Sequence, residues 1–87
     1  MSHHETNFQG DVIVAIVSAI ESKIANSKAD VNGGGGHYTI AVTSPAFAGL
    51  GRVDAQRLVY SAIAHLMAGD AAPVHAVDSL RTLVPPL

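Results

Sequence analysis

From residue 11 the apolar positions Ile13, Ile16, Val17, Ile20 and Ile24 recur at intervals of three and four. On a period of 3.6 residues these make one stripe, and the polar Asp11, Ser18 and Ser22 fall opposite it. The spacing predicts a helix over 11–25, with Asp11 favouring the positive end of its dipole. Val14 lies off the stripe, with no cover in this reading. The period then changes to two. Ala29 and Val31 alternate with polar neighbours over 28–32. Tyr38, Ile40 and Val42 alternate with His37, Thr39, Ala41 and Thr43 over 37–44. Two alternating runs joined by a short link predict a hairpin with one covered face.

The link is Gly33-Gly34-Gly35-Gly36. Glycine loses much conformational freedom when it is fixed in a strand, so all four are expected in a flexible loop. After the second strand, residues 45–49 predict one tight turn. Over 53–68 the apolar residues Ala55, Leu58, Val59, Ala62, Ile63 and Leu66 fill one sector of a helix, with His65 and Met67 at its margins and Tyr60 off it. Gly69 closes that helix. The run from Val74 to Val84 predicts a final strand, stopped by Pro85-Pro86 and carrying His75 as its first or second residue.

The order helix, strand, strand, helix, strand predicts an α+β two-layer sandwich with both helices on one face of a three-stranded sheet. The helical connection between the last two strands permits them to pair in parallel. We expect a single domain over 11–87 behind a disordered tail, 1–10, whose His3-His4 pair belongs to that tail. Composition supports a packed core: 48% of residues are hydrophobic and 14% charged. Only two Tyr, two Phe and no Trp are present, so that core is expected to be aliphatic.

Net charge is −2, and five Lys plus Arg cannot make a broad basic face. Nucleic-acid binding is therefore expected to be weak, with Arg52, Arg57 and Arg81 the residues available for it. The absence of cysteine excludes disulfides, thiolate zinc sites and a self-sufficient iron–sulfur site. The longest apolar run, Val12 to Val17, is too short to span a bilayer, and the expected location is the cytoplasm. No nucleophile–base pair, carboxylate pair or phosphate loop is discernible, so the expectation is a binding protein and not an enzyme. The glycine run formally satisfies the Gly-x-x-Gly loop of KH nucleic-acid-binding domains. In those domains, however, the loop joins two helices and not two strands.

Several landmarks together resemble the BolA family. His37-Tyr38 resembles the opening of that family's second strand. Val42-Thr43-Ser44 followed by Phe47-Ala48-Gly49 resembles its next turn, and Arg52-Val53, Gln56 and Val59-Tyr60 resemble the second helix of its IbaG-like branch. Val74-His75-Ala76-Val77, then Arg81-Thr82-Leu83-Val84-Pro85, resembles its closing strand. One residue more than the usual spacing separates His75 from Arg81, which predicts a β-bulge near Asp78-Ser79.

The resemblance implies a class II KH-like fold and partnership with a monothiol glutaredoxin around a shared [2Fe–2S] cluster. It implies that His75 is the ligand this chain supplies, while partner and glutathione supply thiolates; the isolated protein, a monomer or weak homodimer, would carry none. His37 is the one candidate for a second ligand near the glycine loop, and a ligand there is expected at the other end of the sheet from His75. The alternative is a KH-like nucleic-acid-binding regulator of the stress response. Asp54 and Ala55 stand where relatives carry basic residues, which weighs against that alternative.

Overall fold

The computed structural model describes residues 4–86, with side chains from Val12 onward. Helix α1 spans His4–Lys23, strand β1 Lys28–Gly34, strand β2 His37–Thr43, helix α2 Arg52–Met67 and strand β3 Ala76–Leu83. A single 3₁₀ turn, Pro45–Phe47, lies between β2 and α2. The sheet order is β1-β2-β3, with β1 antiparallel to β2 and β2 parallel to β3. The α+β architecture and the neighbouring of the closing strand with β2 are as the sequence predicts.

Three boundaries differ from the pattern. Helix α1 starts at His4 and not near Asp11. Of the tail expected over 1–10, residues 1–3 lie outside the described residues, while 4–10 continue the helix. Extending a formed helix adds one hydrogen bond per residue and needs no apolar stripe, so periodicity is blind to it. The expected four-glycine loop is also shorter. Strand β1 runs through Gly34, which pairs with His37, and the link is the two-residue turn Gly35-Gly36. Both have positive φ, 63° and 89°, the requirement of the two-residue turn whose twist matches a hairpin. Thirdly, β3 begins at Ala76, so His75 sits just outside it.

One contiguous core lies between the helices and one face of the sheet. Val12, Ile16, Ala19, Ile20 and Ile24 come from α1 and its exit, and Ala29, Val31, Tyr38, Ile40 and Val42 from the hairpin. Ala55, Val59, Ala62 and Ile63 come from α2. The buried stripe of α1 is thus rotated from the predicted one, for Ile13 and Val17 are only partly buried; Val14, off the stripe as the sequence predicts, is 66% exposed. On α2 the predicted sector is too wide, for Leu58 at its edge is exposed. Gly69, with φ +87°, follows α2 as the expected left-handed terminator.

Ser44 is the joint of the fold. Its buried Oγ donates to the Ala25 carbonyl at 2.6 Å and accepts the Ala46 N–H at 3.0 Å. Its own N–H donates to the Leu83 carbonyl at 2.9 Å. One residue therefore ties the exit of α1, the 3₁₀ turn and the end of β3.

Candidate functional site

His75 is held by backbone on both sides. Val74, fully buried, donates its N–H to the Leu66 carbonyl at 3.1 Å, fixing the approach to β3 against the end of α2. The carbonyl of Gly36 then accepts both the His75 N–H, at 2.8 Å, and the Ala76 N–H, at 3.0 Å. The hairpin turn thus fastens the mouth of β3.

The imidazole is exposed, and it rests on the same glycine. A Cβ at Gly36 would lie 2.9 Å from both Cγ and Nδ1 of the ring. The Nδ1 edge therefore packs over the turn, which leaves Nε2, across the ring, as the nitrogen farthest from it. An outward imidazole on a pinned backbone is a ready donor to a borderline-soft metal, because ordering it at binding costs little.

His37 lies at the same end of the sheet. Parallel pairing sets it opposite Ala76, so the expectation that it marks the other end is corrected. The carboxylate of Asp78 accepts a hydrogen bond from His37 Nδ1 at 3.2 Å, with both side chains more than half exposed. Asp78 reaches it because of a bulge. Tyr38 pairs with Val77 and Thr39 with Ser79, so Asp78 is the extra residue. The bulge predicted from spacing is thus present, and it engages one nitrogen of the second candidate ligand. Among the described residues no three His, Cys, Asp or Glu come close enough together to hold a metal ion. What the site offers is one exposed imidazole and a neighbour already hydrogen-bonded.

The three arginines separate. Arg52 and Arg81 line one groove of about 320 Å³ with Gln56, Leu80, Thr82 and Leu83. Arg57 instead lies beside Asp54, Nη1 to Oδ1 3.9 Å, a largely exposed pair of little energetic weight. They form no basic stripe. Nor can Gly33–Gly36 clamp a nucleic-acid backbone as a mobile loop, since two of the four are paired in β1. The part of the site that sequence reasoning missed is Gly36. The run of glycines was the available signal, but nothing in it says which one carries an imidazole.

A sequence model described as BolA-like protein matches residues 5–85, nearly the whole chain. The chain belongs to the BolA family. Solved BolA structures superpose on it over most of its length. A BolA homologue from Coxiella burnetii is 34% identical, with 80% of this chain and 86% of that one covered at a TM-score of 0.68. A bol-like protein from Babesia bovis is 30% identical, with 83% of each chain covered at a TM-score of 0.64. BolA1 from Arabidopsis thaliana, 18% identical, covers 83% of this chain and 89% of its own at a TM-score of 0.69, and speaks to the fold alone. No match is found among curated proteins. In this BolA-family chain no described helix is long and apolar enough to cross a membrane.

Proposed function

We propose that this BolA-family protein, of the IbaG-like branch, is a cytoplasmic partner of a monothiol glutaredoxin. In the complex His75 is its ligand to a shared [2Fe–2S] cluster, in iron–sulfur cluster trafficking or iron and stress regulation. The observation that supports the reading is the exposed imidazole pinned by Gly36 on a chain without cysteine. A single such donor fits a shared cluster, in which partner and glutathione bring the thiolates, better than a metal held by this chain alone. Bound there, imidazole in place of thiolate raises the cluster's reduction potential. The chain's own contribution is to seat the ring over Gly36 and hold Nε2 outward as the donor.

The test is visible absorption and circular dichroism of the mixed complex, with wild type, His75→Ala and His37→Ala compared. His75→Ala should stay folded, at a cost of about 1 kcal/mol or less for an exposed side chain. It should no longer alter the spectrum of the glutaredoxin-bound cluster, whereas His37→Ala should still do so. An unchanged heterocomplex spectrum with His75→Ala would remove the assignment.

A further inference from the structure

The outer edge of β3 is unpaired, since β3 is the last strand of the sheet. Its polar backbone groups can be assigned by alternation. Leu83 accepts from Ser44, so its backbone faces β2. Alternation then turns the backbones of Leu80 and Thr82 outward. The Leu80 carbonyl does face out, toward α2, where the Gln56 side-chain amide donates to it at 3.4 Å. Thr82, whose N–H and C=O alternation turns outward, lines one groove with Arg52 and Arg81. No acidic residue lines this groove, and neither arginine has an acidic partner within salt-bridge reach among the described residues. In a chain of net charge −2 and five cationic side chains, two of them meet at one free strand edge.

The geometry points to this edge as a docking groove for an extended acidic peptide segment, which adds to β3 as a fourth strand. Main-chain hydrogen bonds supply such a mode with affinity, and pockets for alternate side chains supply specificity. The arginines define what those side chains are. Arg81 stands opposite Ala41 on the uncovered face of the sheet, where it also borders Asp30, Asn32 and Thr39. Arg52 belongs to α2 on the covered side. Successive residues of an added strand point to opposite faces, so the two guanidinium groups match two consecutive acidic residues. The bulge at Asp78 ends the regular edge on one side and, with its own carboxylate, repels the acidic strand from sliding further. This site is independent of His75.

The probe is a short blocked peptide of β-branched residues around a central Asp-Glu pair, titrated into the full chain by NMR. Amide shifts should concentrate at residues 79–83. Arg52→Ala and Arg81→Ala should each weaken binding by about tenfold, the scale of a lost charge-assisted pair. Thr82→Pro removes only an outward N–H, a change an edge strand accepts, and should abolish binding. A peptide N-methylated at alternate positions should fail likewise, a readout that holds if Thr82→Pro does not fold. Equal binding of an Asn-Gln peptide would overturn the charge assignment, and equal binding of the N-methylated peptide the strand addition. Tighter binding of a single-stranded oligonucleotide that needs both arginines and survives Thr82→Pro would make the groove a phosphate site and overturn the proposal.

Discussion

Gly36 does two jobs with no side chain. Its carbonyl holds two successive N–H groups at the mouth of β3, and its bare Cα makes room for the His75 ring. A methyl group there meets both a φ of +89° and an imidazole at 2.9 Å. Backbone strain of that kind costs about 1–3 kcal/mol. Gly36→Ala should therefore destabilise the protein by about that amount in denaturant titration. It should also displace the His75 ring resonances in a side-chain NMR spectrum. Gly35→Asn is the control, because φ +63° lies where Asn is tolerated. It should cost less than about 1 kcal/mol and leave those resonances in place. Wild-type His75 resonances in Gly36→Ala would show that the turn does not seat the imidazole. His75 itself was legible from its neighbours in the sequence. Gly36 was not, because what singles it out is a contact between residues far apart in the chain.

At the scale of elements, period and spacing located all three strands and the second helix to within a residue or two. They failed where no side chain reports. The first turns of α1 carry no apolar stripe, and the glycines of β1 carry no side chain to alternate. Spacing succeeded in finding the bulge, since an extra residue between two landmarks must go somewhere. The pairing makes Asp78 that residue, because Val77 and Ser79 already occupy consecutive partners on β2. Deleting Asp78 should consequently leave a regular parallel ladder, with Leu80 and Thr82 still on the covered face. The deletion should fold and melt within a few degrees of wild type, since an exposed His–Asp pair contributes only about 0.2–1 kcal/mol. Deleting Thr39 instead forces a second mismatch opposite Ser79 and turns half of β2 inside out. A cooperative wild-type melt for the Thr39 deletion, or an unfolded Asp78 deletion, would contradict this register.

Over the whole molecule, stability rests on a small aliphatic core, to which Tyr38 and Phe47 add the only buried aromatic rings among the described residues. A chain of this length has about 4–13 kcal/mol of net stability, so a single core cavity matters. Ile63 is fully buried on α2, and Ile16 and Ile20 are fully buried on α1. The helices are also tied directly, where the Lys23 ammonium donates to the Ala62 carbonyl at 3.2 Å. Truncating Ile63 to Ala opens a void at that junction, and such changes cost about 2–5 kcal/mol. In a domain this small each kcal/mol lowers Tm by roughly 4–8 °C, so Ile63→Ala should melt roughly 8–40 °C below wild type. Val14 supplies the contrast. It is as apolar as its neighbours in α1, yet it is 66% exposed. Val14→Ser should change stability by less than about 0.5 kcal/mol, the range of ordinary surface substitutions. The pair of melts distinguishes this packing from its nearest rival. If α1 were rotated so as to bury the side that carries Val14, that residue would gain cover and its substitution would be felt. A loss at Val14 comparable to that at Ile63 would therefore place the helix in the rotated setting, and an unaffected Val14 with a collapsed Ile63 variant places it as described.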